Sequence, residues 1–188
     1  MRNEAMRVFQ TIMILLAAFV VVFAESTVEV VRRVLGAQVD LLPSLVVYAS
    51  LSGGVVTLAL LALWGGLWFD SMSANPLGIS VLPLFLIGFV IQRYRGLILR
   101  DETFAHLVLG LIASAAMPLL TLLLLFNAEK QPLIGWFSLW QWVVMSLAGA
   151  AASPLWFRLF DRLNRTFSYR SADETAFRSD REIKRGRF

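Results

Sequence analysis

The sequence has no cysteine and a single histidine, His106, and only 16% of its 188 residues are Asp, Glu, Lys or Arg. Each shortage closes off some chemistry. Without cysteine there are no disulfides and no thiolate ligands for zinc or iron–sulfur clusters, and one imidazole cannot build a His-based metal centre. No cofactor is expected. Intramembrane hydrolases need a Ser–His, Asp–Asp or HExxH-type arrangement, whereas Asp70 stands alone inside an apolar run, so an enzyme is the least favoured reading. With so few charges the chain has too little polar surface to coat a water-soluble globule. The 58% of hydrophobic residues and the mean hydropathy of +0.71 instead place it in a bilayer. The net charge of +4 and the pI near 10.1 do not point to nucleic acid, because the Arg residues are not interleaved with stacking aromatics on a soluble module. Anionic lipid headgroups are the expected counterpart.

What the chain does have is a series of long apolar runs. Crossing about 30 Å of hydrocarbon takes roughly 20 helical residues. On that measure spans are expected near residues 8–24, 39–52, 54–70, 76–92, 104–126 and 138–158, giving an all-α integral membrane protein, a bundle of six transmembrane helices. The second run is short for a full crossing. Either it is tucked among its neighbours or it borrows length from Val34 to Val39. Asp40 can cap its start, Pro43 is tolerated in a first helical turn, and Gly53 and Gly54 punctuate the turn into the third run.

Positive charge sorts the loops. With both termini inside, the outer segments carry Arg32, Arg33 and Lys130, and the other fourteen of the 17 Lys and Arg residues fall on the inner side, as cytoplasmic loops require. A rival reading takes residues 1–24 as a signal peptide ending at Val22-Phe23-Ala24. It leaves five spans and an outside terminus, which topology alone permits. The transmembrane domain is thus residues 1–160. Residues 161–188, mixed in charge and poor in aliphatics, form a basic cytosolic tail, expected to be largely disordered. Residues 156–169 either continue the last helix along the membrane surface, with Trp156, Phe157 and Phe160 at headgroup level, or fray.

Lipid is as apolar as Leu, so helices in a bilayer associate through small residues and a few polar contacts. Small residues four apart are therefore expected to face inward: Ala59, Ala62, Gly66 and Asp70 in the third span, Gly110, Ser114 and Pro118 in the fifth, and Ser146, Gly149, Ala150 and Ser153 in the sixth. The stripe that admits a neighbouring backbone carries the Asp70 carboxylate into the bundle, where it needs donors. Asn75-Pro76 has the form of an N-cap and first helical position, so the start of the fourth span is expected to point unpaired N–H groups at Asp70, with Gly78 allowing another backbone close. A proton or ion pathway would want a second intramembrane acid, and only Gln92 and Gln141 stand near the span edges. His106 reads as a neutral interfacial residue, Arg93, Arg95 and Arg100 as headgroup ligands, and the six Trp residues as interfacial belts.

The segment VDLLPSLVVYASLSGGVVTLALLALWGGLWFDSMSANPLGISVLPLFLIGFVIQRYR resembles the core of the rod shape-determining protein MreD family. The features that carry the resemblance, in order, are Asp40, Leu41, Leu42 and Tyr48 in the second run, Gly66 and Asp70 closing the third, and Leu77-Gly78 opening the fourth. Pro154-Leu155-Trp156 gives a looser fit at the end of the last span. An Asn-Pro pair fills the loop position before Leu-Gly, and the tail after Tyr169 is long for the family. The resemblance covers roughly residues 39–95. It implies an integral protein of the bacterial cytoplasmic membrane, a non-enzymatic scaffold that works with the bitopic partner MreC in the elongation machinery coupling MreB filaments to peptidoglycan synthesis. Gly66, Asp70, Asn75, Pro76, Leu77 and Gly78 are then the structural or partner-binding residues. The family is similar in layout to the substrate-binding components of energy-coupling-factor transporters, so a vitamin or small-molecule transporter component is the alternative. The first span here lacks the small residues four apart with which those components dock.

Overall fold

A computed structural model describes the backbone of residues 2–27, 36–73, 76–96, 103–127 and 135–176, and the side chains of those lying within 8–165. Six helices follow one another among these residues: α1 Arg2–Thr27, α2 Leu42–Ser52, α3 Val55–Met72, α4 Val81–Arg93, α5 Thr103–Asn127 and α6 Trp136–Ala176. Portions of four of them, Val8–Thr27, Val55–Met72, Thr103–Asn127 and Trp136–Arg165, are long and apolar enough to cross a membrane, whereas Leu42–Ser52 and Val81–Arg93 are shorter apolar helices. The chain divides into two compact units, Met1–Trp156 and Phe157–Phe188. Within the second, α6 continues as helix to Ala176, so the part of the tail before residue 177 is helical where its composition predicts little order.

The two short helices hold the centre of the first unit. α2 packs against α1, α3, α4 and α5, and every residue from Leu42 to Leu51 is buried. Of the two ways its short apolar run could be accommodated, the structure takes the first: α2 is enclosed by neighbours, and residues 38–41 before it are not helical. Eleven residues rise only about 16 Å, half a bilayer's hydrocarbon. Leu42 lies against Gly65, most of the way along α3, where a Cβ would meet the Leu42 side chain at 3.2 Å.

Close approach at glycine fixes the other crossings. A Cβ on Gly66 would lie 2.9 Å from Val81 Cγ2 and 3.0 Å from its Cα, so α3 and the start of α4 meet backbone to backbone. Gly88 on α4 sits against Leu58, Val46 and Ser50, locking α4 to both α2 and α3. Between α5 and α6 the contact is closer still: a Cβ on Gly110 would lie 2.6 Å from both the Gly149 carbonyl and Ser153 Cβ, and one on Gly149 would fall on the Ser114 side chain. The small-residue faces of α5 and α6 thus meet each other. On α3 the inward face is Leu58, Leu61, Ala62, Gly65, Gly66 and Asp70, and Ala59 is exposed, so the expected stripe is rotated at its N-terminal end.

Hydrogen bonds cross these seams. The Trp142 indole donates to the Ala115 carbonyl at 2.9 Å, and the Trp156 indole donates to Ser44 Oγ at 3.0 Å, while that hydroxyl donates to the Leu41 carbonyl at 2.6 Å. Two of the six tryptophans expected in interfacial belts therefore tie α6 to its neighbours. Thr11 and Thr57 hydroxyls are 2.9 Å apart between α1 and α3. His106, expected at an interface, is buried in α5. The outward faces are apolar, with Val8, Ile12, Leu16 and Val20 repeating every fourth residue along α1 and Leu111, Leu119 and Leu123 along α5. Water would not favour so much contiguous exposed hydrocarbon, whereas lipid accepts it.

Candidate functional site

The polar groups of the core gather where the C-terminal ends of α1 and α3 meet the N-terminal ends of α2 and α4. Four unpaired N–H groups and a partial positive charge sit at the start of any helix. For α2 and α4 those starts lie inside the protein, away from water, and carboxylates meet them. Glu25, near the end of α1, accepts the Leu41 N–H at 2.6 Å, and Asp40 accepts the Leu42 N–H at 2.9 Å. Asp70, near the end of α3 and 1% exposed, accepts two bonds from one residue, the Ser80 N–H at 3.1 Å and the Ser80 hydroxyl at 2.5 Å. Irregular backbone is tolerated at depth in an apolar bundle only when its polar groups are satisfied by protein, and these acids do that for residues 41 and 42.

Asp70 is thus a latch between α3 and α4, built with different donors from those expected. α4 begins at Val81 with Ser80 at its N-cap position, so Pro76 is not its first helical residue. Residues 76–80 instead form successive turns, with Ile79 N–H donating to the Pro76 carbonyl and Val81 N–H to the Gly78 carbonyl. Pro76 is exposed and Leu77 is 72% exposed. Asn75 lies outside the described residues. Gly78 admits no neighbour, because a Cβ there would meet nothing within 4 Å; what it supplies is a φ of +87°, a backbone conformation that side-chain-bearing residues avoid. Ser80 spends its hydroxyl on Asp70 rather than on its own helix. Gly66, one turn before Asp70, is where α4 comes close enough for the latch to close.

Two members of this cluster go beyond the expectations from sequence. Glu25 stands at the end of the apolar run VVVFA, and Asp40, expected as a helix cap, also has a second oxygen turned away from that cap. Glu25 Oε2 and Asp40 Oδ2 are both buried with no hydrogen-bond partner. Ser80 was legible as an N-cap residue, since it stands immediately before an apolar helical run. Among the described residues no cluster of three or more His, Cys, Asp or Glu side chains is arranged to hold a metal ion.

Beside the acids lies a cavity of about 360 Å³, lined by Gln38, Asp40, Phe69, Ser73 and Ser80 and by residues of α5 and α6, including Met117, Thr121, Gln141 and Met145. A second, larger hollow of about 870 Å³ lies at the opposite end of α1 and α3, bordered by Gln10, Thr11, Thr57 and Arg95. The chain matches no protein-family model, and no curated protein and no solved structure shows significant similarity to it.

Proposed function

We propose that this chain is a six-span scaffold of the bacterial cytoplasmic membrane, with both termini in the cytoplasm, acting in cell elongation beside a bitopic partner resembling MreC. In this reading the short helices α2 and α4 complete their crossings with the non-helical residues 38–41 and the turns at 76–80. The observation that carries the proposal is the use to which the fold puts the residues of the MreD-like segment. Asp40, Leu42 and Tyr48 are buried in and around α2, Gly66 brings α4 onto α3, and Asp70 latches the two. These are packing and fastening roles, which suit a rigid platform that presents its outer apolar faces to a partner helix and to lipid. Anionic headgroups are the natural counterpart of Arg93, the last residue of α4, and of Arg95 in the turn just after it.

Deletion in the host is expected to widen or round the cells, and a tagged chain is expected to co-purify a single-span membrane protein of the elongation machinery. The cavity beside Asp40 favours a second reading, a substrate-binding component of a vitamin or small-molecule transporter. Normal cell shape together with lost uptake of one nutrient would decide for that reading.

A further inference from the structure

We propose that the cavity beside Asp40 binds an uncharged small molecule with a flat apolar body and an amide-like edge that both donates and accepts hydrogen bonds. The absence of charge follows from what the lining lacks. Among the described residues no Lys, Arg or His borders the cavity. Its one acid, Asp40, offers a ligand nothing, because Oδ1 is taken by the Leu42 N–H and Oδ2 lies buried out of reach. A charged molecule would therefore give up its hydration without meeting a counter-charge, which is the costliest kind of burial. A neutral one avoids that cost.

The hydrogen-bonding groups left to a ligand are two carboxamides. Gln38, shortly before α2, and Gln141, on α6, both line the cavity and are exposed, and neither is hydrogen-bonded among the described residues. Two hydroxyls beside them have spent their protons: Ser80 donates to Asp70, and Thr121 donates to the Met117 carbonyl at 3.0 Å. A carboxamide presents one acceptor oxygen and two N–H donors. A pair of them is matched by a molecule that carries N–H and C=O side by side, such as a primary amide or a lactam ring. The rest of the lining suits a ring, since Phe69 supplies an aromatic face and Met117 and Met145 supply polarisable sulfur that packs against aromatic edges. The volume of about 360 Å³ falls in the range of small-molecule sites. Such a site stands whether or not the chain is a scaffold, and it supplies the transporter reading with a substrate class.

The test is thermal unfolding of the full chain in a non-ionic detergent at neutral pH, titrated separately with indole-3-acetamide, indole-3-acetate and tryptamine. The three share one aromatic body and are neutral, anionic and cationic. At a hundredfold excess over Kd, indole-3-acetamide is expected to raise Tm by roughly 5 °C, and the two ions at the same concentration by much less. Gln141→Leu is expected to weaken the acetamide by roughly fivefold through one lost hydrogen bond. Gln141→Glu places an accessible carboxylate at the same spot and is expected to turn the preference to tryptamine. Both substitutions are at an exposed residue, so a change in the order of ligands reports the site and not the fold. Thr121→Phe fills the cavity and is expected to abolish the rise. No rise with indole-3-acetamide, equal rises with all three, an unchanged order in Gln141→Glu, or an undiminished rise in Thr121→Phe overturns the proposal. No partner protein takes part, so failure here leaves the scaffold reading standing, and failure to co-purify a partner leaves this site standing.

Discussion

Asp70→Leu is expected to destabilise the fold by about 3 kcal/mol, because the Ser80 N–H and hydroxyl would both remain buried after losing their common acceptor. The effect should appear as a sharply reduced yield of monodisperse protein in detergent and as loss of any co-purified partner. Asp70→Asn is the informative contrast. Its amide oxygen can still accept the Ser80 N–H and its amide NH2 can donate to the Ser80 hydroxyl, so it should retain most of the yield at a cost of about 1 kcal/mol. Ser80→Ala removes the shorter of the two bonds while leaving the backbone donor, and belongs between them. If Leu, Asn and Asp behave alike at position 70 in co-purification and in thermal unfolding, the latch has no energetic role.

The second large effect is at the crossing of α5 and α6. Gly110→Val would drive a branched side chain into the Gly149 carbonyl and Ser153, and the obstacle on one side is backbone, which cannot rotate away. We expect a loss of about 2 to 4 kcal/mol, with separation of α6 from the bundle. Released from α5, α6 would also lose the Trp142 bond to the Ala115 carbonyl, so tryptophan fluorescence should shift together with the stability. The matched control is Gly54→Ala at the start of α3, where a Cβ meets nothing within 4 Å and the backbone is extended. Its cost should stay within about 0.5 kcal/mol. A Gly110→Val protein as stable as the Gly54→Ala protein would show that the two helices do not meet at these residues.

Much of the helical layout was legible because long apolar runs leave few alternatives, and the small residues of α5 and α6 at four-residue spacing predicted the faces that do touch. What periodicity could not supply was depth. α2 reads as a short span in sequence, and its hydrophobic residues are as consistent with lipid as with protein around them; only the surrounding helices show that even Ser44 and Ser50 are enclosed. The site was legible in part. An acid on a smooth helical stripe must find donors, which located the latch at Asp70, but the donor was assigned to the Asn75-Pro76 pattern. Pro76 to Ser80 turn before the helix begins, so α4 starts five residues later than the Asn75-Pro76 pattern predicts, and Ser80, at its N-cap position, gives its hydroxyl to Asp70 instead of capping the helix. Glu25 and Asp40 escaped notice as a pair because fifteen residues and a loop separate them. Their meeting depends on α1 ending where α2 begins, a tertiary fact with no local signature.

The account rests on α2 being a half-length helix wholly wrapped by protein, its first turn set beside Gly65 of α3. Since the chain has no cysteine of its own, introduced pairs report without background. In native membranes, the double substitution Leu42→Cys with Gly65→Cys is expected to form a disulfide under mild oxidation, because Leu42 Cγ, whose place a cysteine sulfur would take, lies 3.6 Å from the position a Gly65 Cβ would occupy. Leu42→Cys paired with the exposed Val56→Cys should not crosslink. Absence of the Leu42–Gly65 crosslink, with Leu42→Cys alone reacting freely with a lipid-soluble maleimide, would place α2 in lipid and contradict the account.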